Sequence, residues 1–269
     1  MAIAALHSAA TGLRALSTQI DVIANNLANA QTVGFKASRV NFEDLFYQME
    51  KSPNATGSDG EVTPAGTFVG LGTKISNTQI DLTQGSLQNT NEPLDVGIEG
   101  NGFFRVKILS TIGDGTAYTR NGNFFVNSQN QLVLGMGQGY QLIPPITIPT
   151  GTTDIQISQD GIVTGLKQGG TSPTQLGQMK ISQFVNPQGL ILLGGSLYQE
   201  TTSSGPPIDS NPGDQGSGQL QQNYLEESNV DPVNELVTLI KTQRAFELNS
   251  QSIQTADQAL QTVTNLRRS

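Results

Sequence analysis

Few residues in this chain are of a type that does chemistry, and their spacing gives them little to work with. His7 is the only histidine among 269 residues, and there is no cysteine. A triad needs a base, a nucleophile and an orienting carboxylate, and a metal cluster needs several ligands, so His7 alone supports neither. Asp114, Asp160 and Asp214 each lie beside a glycine, where turn formation accounts for an aspartate. Glu226 and Glu227 are an adjacent carboxylate pair, but consecutive side chains diverge on a strand or a helix, which argues against paired acid–base work. Gly135, Gly137 and Gly139 do not open onto a helix and no Gly-Lys-Ser/Thr string follows a glycine-rich run, so no phosphate loop is present. The reading is of a protein that is not an enzyme, with no cofactor, no metal and no small-molecule substrate.

Charged residues make up 13% of the chain and aromatics 6%, with a net charge of −8. Arg267-Arg268 is the one adjacent basic pair, so nucleic-acid phosphates find no landing surface. Lone soluble domains avoid a polar surface with so little charge; a protein that packs on copies of itself has less reason to. The lack of cysteine fits an extracytoplasmic protein. No run reaches the roughly 20 apolar residues that cross a bilayer, and His7, Ser8, Thr11, Gly12 and Arg14 interrupt any secretory h-region. Export by another route is expected.

The elements that carry the chain are its two ends. Leu6, Ala9, Leu13, Leu16, Ile20, Ile23 and Leu27 recur at steps of three and four, a heptad seam on a helix. Leu239, Phe246, Ile253 and Leu260 recur at a strict spacing of seven. Beside them runs a partly polar second seam of Leu236, Gln243, Ser250 or Asn249, and Asp257 or Ala256. Residues 1–30 hold two charged side chains, Arg14 and Asp21, which predicts burial from several sides, by the other helix and by neighbouring subunits. The first helix is expected to close within Asn25–Ala30, with Gly34 soon after. For the last helix, Asp231 is the expected N-cap, with Pro232 at the first helical position, Glu235 in the first turn and Arg267 and Arg268 at the far end.

Between the ends the pattern changes period. Val40, Phe42, Leu45, Phe46 and Met49 fit a short helix or an extended segment, and the Gly/Pro-rich stretch Ser52–Gly72 fits a long loop or hairpin. From residue 94 to 200 apolar residues alternate: Leu94, Val96, Ile98; Phe104, Val106, Ile108; Phe124, Val126; Leu132, Leu134. Turn signals such as Asn121-Gly122 and Asp160-Gly161 separate these runs, which predicts a small antiparallel barrel or sandwich. Ser203–Gly218 reads as a return linker. The expected fold is α+β, with the N- and C-terminal helices packed as an antiparallel coiled-coil-like pair around a central, mainly antiparallel β domain. The expected division is 1–30 plus 228–269 as a helical terminal domain, 31–93 plus 201–227 as a connecting region, and 94–200 as the β domain.

Several strings carry a resemblance. Ala24-Asn25-Asn26-Leu27-Ala28-Asn29 with Thr32-Val33-Gly34-Phe35-Lys36 resembles the N-terminal signature of bacterial flagellar rod and hook proteins. The runs Leu94–Phe104, Tyr118–Phe124, Asn186–Leu190 and Leu197–Thr201 look like that family too. Its C-terminal signature is similar to Ser228-Asn229-Val230-Asp231 followed by Gln243–Ser250. The resemblance implies a secreted building block that polymerises helically, transmits motor torque and encloses an export channel. It leaves through the flagellum's own type III apparatus and folds at the growing tip. Implied partners are its own copies, the proximal rod and hook proteins, the surrounding outer ring proteins and the export apparatus, in a basal body spanning periplasm to outer membrane. Subunit contacts are expected at Leu6, Leu13, Leu16, Ile20, Ile23, Asn25, Asn26, Leu27 and Asn29, and at Leu236, Leu239, Phe246, Ile253 and Leu260. The stretch after Phe42-Glu43-Asp44-Leu45 is similar to the extra, rod-stiffening segment of distal rod members, here carrying Tyr47, Pro53, Pro64 and Gly66. A proximal rod or hook subunit is the alternative within the family. A secreted β-domain adhesin or enzyme on a coiled-coil stalk is the alternative outside it.

Overall fold

A computed structural model describes residues 2–52, 65–108, 115–135, 137, 139–169, 172–214 and 216–266. The fold is α+β, with a helix at each end of the chain and antiparallel strands between. It divides into two compact units: Met1–Ala28, Ser38–Ile80 and Asp231–Ser269 form the first, and Asn29–Ala37 with Asp81–Val230 form the second.

In the first unit, α1 (Ala2–Ala28) packs along α2 (Pro232–Leu266). Asn26 touches Glu235 near one end, and Gly12 lies against Asn249 further along, so the two helices run antiparallel. The start of α2 is the expected one: Asp231 Oδ1 accepts from the Val233 and Asn234 amides at 3.0 and 3.2 Å, ahead of Pro232 in the first turn. Its other end, at Arg267 and Arg268, lies outside the described residues. α1 stops at Ala28 without any left-handed asparagine among residues 25–29; the Thr32 amide and hydroxyl turn back onto Asn29, and the chain next takes a positive φ at Gly34.

The stretch after Ala37 is extended, not helical. Ser38–Asp44 pairs antiparallel with Thr73–Ile80 through a bulge at Asn41/Phe42, and Tyr47–Lys51 pairs with Thr67–Gly70 as a ribbon. The first of these sheets packs on α1. Thr11 accepts from the Thr73 amide, Ser8 donates to the Gly70 carbonyl, and Ala15 is only 3% exposed. Part of the cover expected from neighbouring subunits therefore comes from this chain's own sheet.

The second unit holds the main core. Its largest sheet runs through Ile191–Gly194, Leu197–Gln199, Thr116–Thr119, Phe103–Lys107, Gln141–Leu142, Leu132–Leu134 and Phe124–Val126. Ile181–Gln183 pairs with Phe103–Lys107 as well and carries Ile208–Ser210. A three-stranded sheet, Thr152–Ile157, Ile162–Lys167 and Thr174–Gln178, adds Ile157 and Val163 to the same apolar cluster as Val96, Ile98, Phe104, Val106, Leu132 and Leu134. Of the alternating residues read from the sequence, Val126 stays 39% exposed. The stretch 201–227, read as a connector, supplies strands: Gln219–Gln222 pairs with Val96–Glu99, and Tyr224–Glu226 with Leu87–Asn89.

A helix pair and a buried charge clasp as candidate functional site

Within the first unit the shielded stripe of α2 contains Leu239, Phe246, Ile253 and Leu260, the column read from the sequence. The column beside it keeps the expected Asn249 and Ala256 and departs at Leu236 and Gln243. Thr242 is buried and Asn249 and Ala256 are half-buried, while Leu236 is 45% exposed and Gln243 faces solvent. The departure at Leu236 and Gln243 arises because no apolar period fixes a polar second seam. On α1, Leu6, Leu13, Leu16, Ile20 and Leu27 are half-buried and Ile23 is buried.

Asn26 bonds within the chain. It is buried and donates to the Ser38 carbonyl at 2.8 Å and to Glu235 Oε1 at 3.3 Å, while accepting from the Ser38 amide at 3.0 Å. Asn25 is exposed; Asn29, in the second unit, accepts from the Thr32 hydroxyl. Of the segment read as rod-stiffening, Tyr47 and Gly66 are described and Pro53 and Pro64 lie outside the described residues. Phe46, Tyr47, Met49 and Phe68 are all more than half exposed on and beside the ribbon, as are Val233, Ile240 and Leu248 along α2. Apolar surface gathered like this marks an interaction face.

The second unit contains a site the sequence did not reveal. The Glu226 carboxylate is fully buried between Lys36, whose Nζ is 2.6 Å from Oε1, and Arg120, whose Nη1 is 3.2 Å from Oε2. The Gly85 amide donates to Oε1 at 3.0 Å, Lys36 also donates to the Thr83 carbonyl, and Arg120 Nη2 donates to the Gly100 carbonyl at 2.7 Å. Arg120 lies over the Phe103 ring at 5.5 Å. Burial pushes Lys36 and Arg120 below their ordinary pKa values, and in each case the Glu226 charge opposes that shift. Two cations on one carboxylate leave the cluster at +1, and several kcal/mol of desolvation per ion are offset only by this tight geometry.

Backbone contacts close the clasp. The Gly34 amide donates to the Glu226 carbonyl at 2.8 Å. Gly34 has φ +68, and a Cβ there would sit 2.7 Å from the Asn121 nitrogen, so only glycine lets the Gly34-Phe35-Lys36 turn reach the Arg120-Asn121 backbone. Asn229 ties three segments: it accepts from the Ala37 amide at 2.8 Å and donates to the Asp81 carbonyl at 2.9 Å and the Thr83 carbonyl at 3.2 Å. None of this is catalytic geometry. It is a weld between distant parts of one chain.

Near the clasp, burial raises the phenols of Tyr118 and Tyr198 well above the usual 10.0, and in Tyr118 a 3.0 Å hydrogen bond to Glu200 adds to the effect. Their folded forms hold a proton that the unfolded chain releases near pH 10, so the stability they contribute is intact below that pH and lost as pH rises past it. Alkaline titration should show tyrosinate absorbance from these two only as β-sheet circular dichroism disappears. Titration of all five tyrosines near pH 10 with the sheet intact would contradict this.

A helix-pair unit with exposed apolar residues and an antiparallel β unit with its own core are the features of a structural subunit. The flagella basal body rod protein family model matches residues 6–36, the flagellar hook protein FlgE/F/G D1 domain matches 97–165, and the flagellar basal body rod FlgEFG protein C-terminal model matches 221–266. Lys36, Arg120 and Glu226 fall one in each match. The flagellar basal-body rod protein FlgG of Borreliella burgdorferi is 44% identical over 98% of both chains. That of Buchnera aphidicola subsp. Acyrthosiphon pisum is 45% identical over 95% of this chain and 96% of its own. The flagellar hook-basal body complex protein FlhP of Bacillus subtilis is 30% identical over 97% and 98%. The chain belongs to the flagellar basal-body rod protein FlgG family.

Proposed function

We infer that this chain is a structural subunit of the flagellar distal rod, polymerising helically into the shaft that carries torque from motor to hook. Family membership along nearly the whole chain supports this reading, together with one structural observation: a long helix α2 that packs on α1 along one stripe and leaves Val233, Leu236, Val237, Ile240 and Leu248 exposed. The seam residues Leu6, Leu13, Leu16, Ile20, Ile23, Leu239, Phe246, Ile253 and Leu260 hold α1 and α2 together in coiled-coil-like fashion. The open stripe of Val233, Leu236, Val237, Ile240 and Leu248 meets neighbouring copies, and the helices line the central channel. Asn25, Asn26, Leu27 and Asn29 set the turn that leads out of α1. Proximal rod and hook proteins adjoin the polymer at its ends, ring proteins surround it between periplasm and outer membrane, and the export apparatus delivers the chain.

Ile20→Asp or Leu260→Asp puts an unpaired charge into the seam, at a cost of several kcal/mol if it stays buried. Each should abolish polymer in electron micrographs while the β-sheet circular dichroism of the second unit survives. Normal polymer from either variant would show that assembly does not need an intact α1–α2 seam.

The ribbon Tyr47–Lys51/Thr67–Gly70 is proposed to brace neighbouring subunits and keep the rod straight. Deleting residues 53–64 leaves Ser52, Ala65 and Gly66 to bridge strands whose last pair is Lys51 with Thr67, a common hairpin length. Polymers should still form, with altered curvature. Complete loss of polymer, or an unchanged straight tube, would contradict the bracing role.

A further inference from the structure

The clasp and the apolar core of the second unit are held by different physics. Every member of the core cluster lies between Val96 and Leu197 except Leu220, and no clasp residue belongs to it. The clasp joins residues 190, 141 and 106 positions apart in sequence, contacts with a high loop-closure cost. Its charges regain hydration when it opens, whereas an opened apolar core regains nothing.

The segment carrying Glu226 is buried at Leu225, Glu226, Ser228 and Val230, but its strand pairing is short. Tyr224–Glu226 pairs only with the three residues Leu87–Asn89, and a two-stranded ribbon is marginal without further support. Asn223, immediately before it, takes φ +68, a turn conformation unusual for a residue with a side chain. Gln219–Gln222, before that, is anchored through Leu220 in the core. A rigid anchor, a bent residue and a short ribbon that ends in a clamped carboxylate make a strap.

We propose that Tyr224–Val230 is a strap that opens as one unit about Asn223 while the β core stays folded. The Glu226 carboxylate, held between Lys36 and Arg120, sets how long it stays shut. Opening frees residues 34–37 at the same moment, because Gly34 is bound to the Glu226 carbonyl and Ala37 to Asn229. These are the segments that follow α1 and precede α2 in the chain. A subunit entering a polymer would use the open state to settle both terminal segments without unfolding its core. That use rests on the rod reading; the strap itself does not.

Native-state hydrogen exchange on the dilute full-length chain tests it. The amides of Gly34, Ala37, Gly85 and Glu227 should exchange together, at least about thirtyfold faster than those of Phe103–Lys107 and Thr116–Thr119, as expected for a local opening below the global one. Glu226→Gln should speed the clasp amides by roughly a further hundredfold and leave the core amides within about threefold of their original rates. A single shared rate in the unaltered chain, an equal effect of Glu226→Gln on both sets, or no effect on the clasp amides would overturn the proposal. So would a Gln variant that fails to fold, since the core would then depend on the clasp. Failure to polymerise leaves every one of these readouts unchanged, so the strap and the rod reading stand or fall separately.

Discussion

Replacing Glu226 with alanine should raise tryptic cleavage after Lys36 by between about a hundredfold and several thousandfold, the equivalent of about 3–5 kcal/mol for breaking a buried ion cluster. Lys36 is 1% exposed in the intact protein, and cleavage follows the population in which its bond to Ala37 is uncovered. The size of the effect comes from the charge count. Without the carboxylate, Lys36 and Arg120 face each other as two buried cations, and the Gly85 amide loses its acceptor. Removing one cation leaves a matched pair instead, so Arg120→Met should raise the same cleavage only about tenfold. Equal sensitivity in the two variants would mean that the cluster is held by packing and not by charge.

Gly122→Ala should cost the second unit about 3–5 kcal/mol, the sum of a severe overpacking and a lost buried hydrogen bond. A Cβ at Gly122 would lie 1.7 Å from the Val96 carbonyl oxygen and 2.7 Å from its carbon. Backbone cannot rotate away as a side chain can. Val96 is fully buried, and its amide donates to the Gly122 carbonyl at 3.0 Å, so relief of the clash breaks that bond and displaces a core strand. The urea midpoint, followed by β-sheet circular dichroism, measures the loss. A midpoint within about 0.5 kcal/mol of the parent, the range of an ordinary surface change, would show that the backbone there yields cheaply.

What the sequence made legible follows from the range of each interaction. The strict column Leu239, Phe246, Ile253 and Leu260 was readable because a long helix repeats its buried face, and the core strands were readable because Val96, Ile98, Phe104 and Val106 alternate. The Asp231 cap and Pro232 are local, and they too were visible. The stretch 38–80 was not, since Ser38–Asp44 and Tyr47–Lys51 are largely exposed and so show no clean period of two. Glu226 was hidden for a different reason. Next to Glu227 it reads as one of two diverging carboxylates, and its counterions stand 190 and 106 positions away, where no periodicity points. The one available signal was that Lys36 and Arg120 close or sit within strings shared with the rod and hook family. Asn26, read as an interface residue, also bonds within the chain to Ser38 and to Glu235, 209 positions away, contacts that no heptad pattern points to.

Electron microscopy of the purified full-length chain over a rising concentration series bears most directly on the claim that exposed terminal helices drive polymerisation. Straight hollow tubes should appear above a threshold concentration, with protease protection of α1 and α2 rising in step with them. A compact monomer whose helices are already protected when dilute, and which forms no tube at any concentration, would contradict it.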